Sequence, residues 1–207
     1  MTNYRAIRFT LLCLCLSLTL LVLSGCGGRS FIEINYQLTA APKFIDGRQI
    51  HVRFTDRRAD KVIFGPQARK HFRYFTGIFD LRMVQPEQQD VFVGRLDLET
   101  LFIETFKKRL EIMGAQTVKT TSPDTLVFEI ALDTFYLELN ELKWQTKLSY
   151  ETRLIRDEKV LARQTAQGSA ERLKLIGSRD ADKLISDMFT DIVNQTDIQR
   201  LIDNAGL

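Results

Sequence analysis

The sequence predicts an α/β domain of the α+β type, in which two amphipathic helices pack on one face of an antiparallel or mixed sheet containing a strand meander. Between residues 126 and 169, three consecutive segments alternate apolar and polar side chains, the period of strands with one wet face. Residues 97–113 and 181–193 instead carry apolar side chains at spacings of three and four, the period of a helix.

The first 25 residues have the pattern of a secretory signal peptide. Arg5 and Arg8 make a basic start, and residues 9–23 form an apolar run of about 15 residues. A helix needs roughly 20 apolar residues to cross a bilayer, so this run is too short to span one. We therefore predict a targeting segment that is removed, and an uncleaved anchor is the alternative.

The apolar run ends in Leu23-Ser24-Gly25-Cys26, which resembles the lipobox of bacterial lipoproteins. The resemblance implies cleavage between Gly25 and Cys26, attachment of diacylglycerol to the Cys26 thiol, and acylation of the new amine. Two or three acyl chains, each contributing ~0.8 kcal/mol per buried methylene, are enough for stable attachment to a membrane. An ordinary signal peptide with a chance cysteine is the alternative.

Gly27 follows the predicted lipidation site. In enteric-type bacteria an aspartate at this position resembles a signal for retention in the inner membrane. Its absence favours the periplasmic face of the outer membrane, with the inner membrane as the alternative.

Length and charge limit the organisation and partners of the rest of the chain. We predict three parts: a signal peptide at residues 1–25, a lipidated cysteine with a tether and an edge strand at residues 26–48, and one periplasmic domain at residues 49–207. The net charge of +3 falls to about +1 without Arg5 and Arg8. Charge therefore gives no reason to expect nucleic acid as a partner.

The cysteines predict neither a disulfide nor a catalytic thiol in the mature domain. Cys13 and Cys15 lie in the apolar run, and Cys26 is the lipidation site. The two histidines, His51 and His71, are not spaced like metal ligands. The sequence also lacks a G-x-S-x-G motif and a glycine-rich phosphate loop. We predict no cofactor, no metal and no enzymatic activity.

The first elements of the domain are strands. Residues 31–36 alternate loosely and predict an edge strand, and residues 49–55 alternate clearly. Asp56-Arg57-Arg58 follows the second strand. These charges either pair with each other at a turn, which we favour, or bind an acidic ligand.

Residues 59–94 predict short strands or a hairpin joined by loops, with a polar loop at residues 85–90. This region contains a basic and aromatic cluster at residues 69–79, with Arg69, Lys70 and Arg73 as its cations. One hypothesis places the cluster in a hairpin with its aromatic side chains in the core, and we favour it. The other places the three cations against anionic lipid headgroups.

The remaining elements follow from period and capping. Residues 97–113 predict a helix with Asp97 as its N-cap and Gly114 after its end. Residues 116–118 predict a short strand. The meander strands are predicted at residues 126–139, 143–155 and 160–169. Another helix follows from about residue 177, and Thr196 is a candidate N-cap for a short final helix.

In this order of elements the chain resembles the YajG family of bacterial lipoproteins. The resemblance rests on the lipobox, the strand that runs into Asp56-Arg57, the helix that ends at Met113-Gly114, the meander, and Thr196-Asp197-Ile198 near the end. The segment at residues 65–94 is longer than the corresponding family region. The family offers no catalytic residues to carry over.

The sequence thus predicts a membrane-anchored periplasmic lipoprotein that acts as a non-catalytic interaction module. Its partners are the membrane, through the N-terminal lipid, and an unidentified envelope protein. The alternative is an accessory subunit of a complex that transports or assembles envelope lipid or lipopolysaccharide, an analogy at the level of fold.

Overall fold

The structure is a computed structural model that describes residues 30–45, 47–84, 90–122 and 125–207. The predicted signal peptide, Gly25, Cys26 and most of the polar loop at residues 85–90 lie outside these residues. In chain order the elements are β1 (Phe31–Tyr36), β2 (Gln49–Asp56), α1 (Pro66–His71), β3 (Ile78–Met83), β4 (Val91–Leu96), α2 (Leu98–Ile112), β5 (Gln116–Thr117), β6 (Leu126–Asn140), β7 (Lys143–Arg156), β8 (Lys159–Leu173), α3 (Ser178–Gln195) and α4 (Ile198–Asn204).

The larger sheet has five strands in the order β5-β2-β6-β7-β8. It is mixed, because β2 runs parallel to both β5 and β6, while β6, β7 and β8 form the predicted antiparallel meander. At the turn between β7 and β8, Asp157 and Glu158 both have positive φ angles, 48° and 62°. Two such residues give the backbone twist that a tight hairpin requires.

The core lies between this sheet and the two long helices. The Phe102 ring of α2 lies 5.9 Å from Tyr150 on β7 and 5.5 Å from Phe189 on α3, measured between ring centroids. All three side chains are buried. The two amphipathic helices therefore pack on one face of the sheet, which confirms the predicted fold class.

A second sheet has three strands in the order β1-β3-β4. β1 runs parallel to β3, and β3 forms an antiparallel hairpin with β4. The predicted edge strand at residues 31–36 is confirmed. We did not predict a separate sheet, because the pairing of Phe31 with Ile78 joins segments far apart in the chain and leaves no local pattern.

The prediction of a hairpin within residues 69–79 is wrong at its start, because Pro66–His71 forms helix α1. The Glu138 carboxylate on β6 fixes this short helix by accepting hydrogen bonds from the backbone N–H groups of Gln67 and Ala68, at 3.2 and 3.1 Å. Burial opposes the charge of Glu138, but hydrogen bonds from the Leu139 N–H, from these two N–H groups and from the Tyr136 hydroxyl hold the pKa of its carboxyl below the usual range.

Gly65 allows this contact, since a Cβ added there would lie 1.8 Å from the Glu138 carboxylate. The other part of the hypothesis, that aromatic side chains of residues 69–79 enter the core, is confirmed for Phe72 and Phe79 but not for Tyr74, which is 47% exposed. Phe72 and Phe79 are buried, and the Phe72 ring stacks on Phe64 at 4.8 Å.

The capping residues of α2 and α4 were predicted from the sequence and can be compared with the structure. Asp97 accepts a hydrogen bond from the Thr100 N–H at 2.8 Å, and Gly114 has a φ of +99°, so both predicted ends of α2 are confirmed. Thr196 is not the N-cap of α4, because Asp197 caps it instead. The buried Thr196 hydroxyl lies 2.7 Å from the Tyr150 hydroxyl, which is its partner in the core.

Candidate functional site

Ser30, where the described chain begins, lies at one end of the domain. Its carbonyl oxygen accepts hydrogen bonds from the backbone N–H and the hydroxyl of Thr76, both at 3.0 Å. β1 then runs alongside α3 in the same direction, with the Asn35 N–H donating to the Ser186 hydroxyl at 3.0 Å. From that contact, β1 extends back about 17 Å to Ser30 and α3 about 12 Å to its first turn. We call this end, where both elements begin, the Ser30 end.

The loop that precedes α3 exposes apolar side chains at the Ser30 end. Leu173 is 55% exposed, Leu175 81% and Ile176 66%. Leu142, in the turn between β6 and β7, is 68% exposed and lies beside the loop, since its carbonyl oxygen accepts a hydrogen bond from the Lys174 N–H at 2.7 Å. We call residues 173–177 the apolar loop. Clustered exposed apolar side chains mark binding surfaces more often than isolated ones do.

The backbone of the apolar loop is also held in place by Asp180 and Trp144. The N–H groups of Leu175 and Ile176 donate to one oxygen of the Asp180 carboxylate, at 2.7 and 2.5 Å. The carbonyl oxygen of Gly177 accepts a hydrogen bond from the buried Trp144 indole at 3.1 Å. The loop therefore exposes its side chains while the N–H groups of residues 174–176 and the Gly177 carbonyl are bonded within the domain.

The three cations singled out from the sequence also reach this end. Arg69, Lys70 and Arg73 are exposed on α1 and just after it. Arg73 lies three residues before Thr76, which donates a hydrogen bond to Ser30. The Arg73 guanidinium lies 4.6 Å from the ring centroid of Tyr74. We call these three residues the basic cluster.

His71 joins the basic cluster to the apolar loop. Its Nε2 accepts a hydrogen bond from the Lys174 ammonium at 3.0 Å. Partial burial, and then the charge of Lys174, lower the pKa of His71. The imidazole is therefore neutral at pH 7 and able to accept from the lysine. His51, the second histidine, lies 3.1 Å from the Val118 carbonyl oxygen through its Nδ1.

One edge of the three-stranded sheet is covered by α3. Besides the Ser186 contact, the Gln37 N–H donates to the Thr190 hydroxyl at 3.3 Å, and the Thr39 N–H donates to the Asn194 amide oxygen at 3.1 Å. The Asn194 amide nitrogen returns a hydrogen bond to the Gln37 carbonyl at 2.8 Å. Spacings of four residues place these polar side chains on one face of the helix, where they take the place of a neighbouring strand.

The opposite edge of the same sheet is formed by β4. Within the described residues β4 pairs with β3 alone. Val91 is 44% exposed, Phe92 51% and Val93 39%, and the Arg82 guanidinium lies 5.6 Å from the Phe92 ring. Proteins usually protect such edges with charges, proline or covering elements. We call residues 91–93 the open edge.

The open edge lies away from the Ser30 end. Val91 pairs with Met83, which pairs with Tyr36, and Tyr36 is five residues along β1 from Phe31. At about 3.3 Å per residue, the open edge therefore begins roughly 17 Å from Phe31, measured along the strands of the sheet.

The charged residues after β2 are engaged with each other and with the sheet. Asp56 accepts hydrogen bonds from the Arg58 guanidinium at 3.0 and 2.9 Å, and chiefly this contact lowers the pKa of Asp56 to about 2. Arg57 turns the other way and binds Asp133 at 2.9 Å and Glu151 at 3.3 Å. The favoured hypothesis of charge pairing at this turn is confirmed.

Surface grooves on the larger sheet are polar. One groove of about 600 Å³ is lined in part by Arg53, Ser122 and Glu158, and the Ser122 hydroxyl lies 2.8 Å from that of Thr125. In the part of the chain that the structure describes, no group of three or more histidine, cysteine or acidic residues is arranged to hold a metal ion. Nor is any of the described helices both long and apolar enough to span a bilayer.

The basic cluster was found from the sequence, but the apolar loop and the open edge were not. The signals were present as Leu173-Lys174-Leu175-Ile176 and Val91-Phe92-Val93. The sequence predicts that the last meander strand ends at residue 169, whereas β8 ends four residues later, at Leu173. The exposure of the two segments depends on tertiary neighbours that a local pattern does not contain.

The fold resembles those of several solved bacterial proteins. No protein-family model matches the chain, and no curated protein is detectably related to it. Protein XCC0632 from Xanthomonas campestris, assigned to the family DUF330, superposes with a TM-score of 0.54 and 11% identity, covering 86% of this chain and 97% of that one. This similarity shows a shared fold. The resemblance to the YajG family stays a prediction.

Two weaker similarities are to proteins named as lipoproteins. Rare lipoprotein B from Shewanella oneidensis has a TM-score of 0.40 and 12% identity, with 74% of this chain and 94% of that chain covered. A minor lipoprotein from Acinetobacter baumannii has a TM-score of 0.39 and 9% identity, with 82% and 93% covered.

Proposed function

We propose that this protein is a lipid-anchored lipoprotein of the bacterial envelope whose α+β domain binds another protein and catalyses no reaction. The lipobox ending at Cys26 supports the anchor. The position of Ser30 is compatible with an anchor at Cys26, because Ser30 lies at one end of the domain. A membrane-bound residue can therefore precede it by only a few positions in the chain. Four residues of extended chain reach about 14 Å at most, so Cys26 holds the Ser30 end near the lipid.

Gly27 supports the outer membrane as the site of the anchor, and the signal peptide supports the periplasmic side. The domain then stands with the Ser30 end toward the lipid and the open edge toward the periplasm. Among the described strands none pairs with the outer side of β4, which is where a partner in that compartment would bind.

The open edge is the observation that carries the binding function. A strand edge offers backbone N–H and C=O groups in a row, and an extended segment of another protein is the partner that satisfies them. Val91, Phe92 and Val93 add apolar contacts on both faces of the strand. We therefore assign the partner as a protein that contributes a β-strand to the edge of the three-stranded sheet.

Site-specific photo-crosslinking in cells tests this assignment. A photoreactive residue at position 92 should form an adduct with one envelope protein. Position 160 on β8 is the matched control, because Val160 is also an apolar residue of an outer strand and is 49% exposed, against 51% for Phe92. Equal adducts at both positions, or none at position 92, would contradict a binding site at the open edge.

A second substitution makes the same experiment quantitative. With the photoreactive residue at position 91, Phe92→Asp should reduce the adduct at least tenfold, since a central aromatic anchor contributes about 2 kcal/mol or more to binding. If the recovered partner is a transport ATPase or an assembly subunit, the protein is an accessory subunit of such a complex.

A further inference from the structure

We propose that the Ser30 end is a second membrane-binding site, in which the apolar loop enters the headgroup region of an anionic bilayer while the basic cluster contacts lipid phosphates. The inference rests on the proposed lipid anchor, because the anchor brings this end to the membrane. It adds a contact made by the folded domain itself, so that the domain has a fixed orientation on the membrane.

The first argument is position. Cys26 and Ser30 are four residues apart, which limits their separation to about 14 Å. Ser30 is bonded to Thr76, and the start of α3 lies at the same level as the start of β1. The apolar loop directly precedes α3, so an acylated Cys26 keeps the loop close to the lipid surface.

The second argument is the chemistry of the apolar loop. Leu175 and Ile176 expose most of their side chains, and Leu142 and Leu173 extend the apolar surface on either side. Lipid has no groups that satisfy backbone N–H donors, so a segment that enters it must satisfy them internally. The N–H groups of residues 174, 175 and 176 all have acceptors within the domain, which are the Leu142 carbonyl and the Asp180 carboxylate.

The third argument is charge. Arg69, Lys70 and Arg73 are exposed on one side of the loop, and Lys174 lies within it. Of the nearby acids, Asp180 bonds the loop backbone and Glu171 pairs with Lys143 at 2.8 Å, while exposed Glu141, beside Leu142, also lies near Lys143. Exposed cations beside an apolar tip match a surface with phosphate groups above hydrocarbon.

Fluorescence from a labelled loop tests the proposal on the full lipidated protein. Since Cys26 is acylated in the mature protein, Ile176→Cys supplies its one free thiol for an environment-sensitive dye. The protein is reconstituted in vesicles of phosphatidylethanolamine and phosphatidylglycerol. The control is Val93→Cys on the open edge, which is exposed at the other end of the small sheet.

We expect a blue shift at position 176 and quenching there by nitroxide-labelled lipid, with neither effect at position 93. An aqueous spectrum at both positions, with the protein still sedimenting with the vesicles, would overturn the loop contact and leave the anchor standing. Failure of the unlabelled lipidated protein to sediment with vesicles would instead overturn the proposed anchor.

The basic cluster is tested in the same labelled protein. Replacing Arg69, Lys70 and Arg73 by Ser should reduce quenching at position 176 in vesicles that contain phosphatidylglycerol. In vesicles of phosphatidylcholine alone, where there is no net negative charge, the substitutions should have little effect. Equal quenching before and after substitution in the anionic vesicles would overturn the headgroup contact.

Discussion

The apolar loop and the open edge both expose apolar side chains, but the backbones beneath them differ. In the apolar loop, the N–H groups of Leu175 and Ile176 are bonded to Asp180. In the open edge, β4 has a strand neighbour on one side only among the described elements. The N–H donors at residues 174–176 of the first surface are already bonded, whereas the second surface offers a partner a row of backbone hydrogen bonds.

What an exposed apolar surface can bind depends on whether the backbone N–H groups beneath it are already hydrogen-bonded. Hydrocarbon cannot replace the water that solvates a free N–H group, so lipid suits a surface whose backbone is already bonded. A β-strand of another protein replaces that water with hydrogen bonds, so it suits an edge whose backbone is free. Exposed area by itself does not distinguish the two kinds of partner.

The Cys26→Ser substitution should change the protein most, because it removes the proposed lipid anchor that would orient the two surfaces. Without the thiol no diacylglycerol is attached, so we expect complete loss of lipid labelling and accumulation of the unprocessed precursor. Metabolic labelling with a radioactive fatty acid and the mobility of the protein on a gel measure both. Cys13→Ser, within the apolar run, is the matched control and should be processed normally. Normal processing and membrane retention of the Cys26→Ser protein would refute the anchor.

A smaller effect is expected from Asp180→Ala. The substitution removes the acceptor of two N–H groups in the apolar loop and leaves them unbonded, as the N–H groups of the open edge are. Two N–H groups lose their acceptor near the start of α3, as in the loss of an N-cap, so the free energy of unfolding should fall by about 1 kcal/mol. Urea denaturation measures this change. Asp191→Ala, an exposed acid on the same helix, should change it by less than about 0.5 kcal/mol. Equal effects of the two substitutions would show that Asp180 does not hold the loop.

The smallest effects are expected from Ile176→Ser and Val93→Ser, one on each surface. Both side chains are exposed, so each substitution should change the free energy of unfolding by less than about 0.5 kcal/mol. Leu184→Ala in the core should cost about 3 kcal/mol in the same denaturation experiment. If Ile176→Ser or Val93→Ser lowered the free energy of unfolding by nearly as much as Leu184→Ala, the side chain would contribute to the stability of the fold. Its exposure would then be no reason to assign a partner to that surface.

Local features of the fold were predictable from the sequence because local chemistry sets them. Asp97 and Gly114 bound α2 as predicted, since a carboxylate that accepts from an N–H and a residue with positive φ act within one turn of the helix. The strands of the meander are neighbours in the chain, so alternation alone revealed them.

Features that depend on distant residues were missed. Helix α1 begins where Glu138, 70 residues further on, accepts from Ala68. The three-stranded sheet depends on the parallel pairing of β1 with β3, and the open edge exists only because of the order of strands in that sheet. Of the candidate sites, the basic cluster could be picked out because residue type alone marks it, and Cys26 stays a prediction that lies outside the described residues.

The coverage of β1 by α3 has a consequence for the order of events during folding. The hydrogen bonds that cover β1 join residues 151 to 157 positions apart, so they form only once nearly the whole chain is available to fold. Until then the first strand of the domain has an unprotected edge, and contacts this distant in sequence form slowly. The interval before residues 186–194 reach β1 is therefore when the chain is most prone to aggregation.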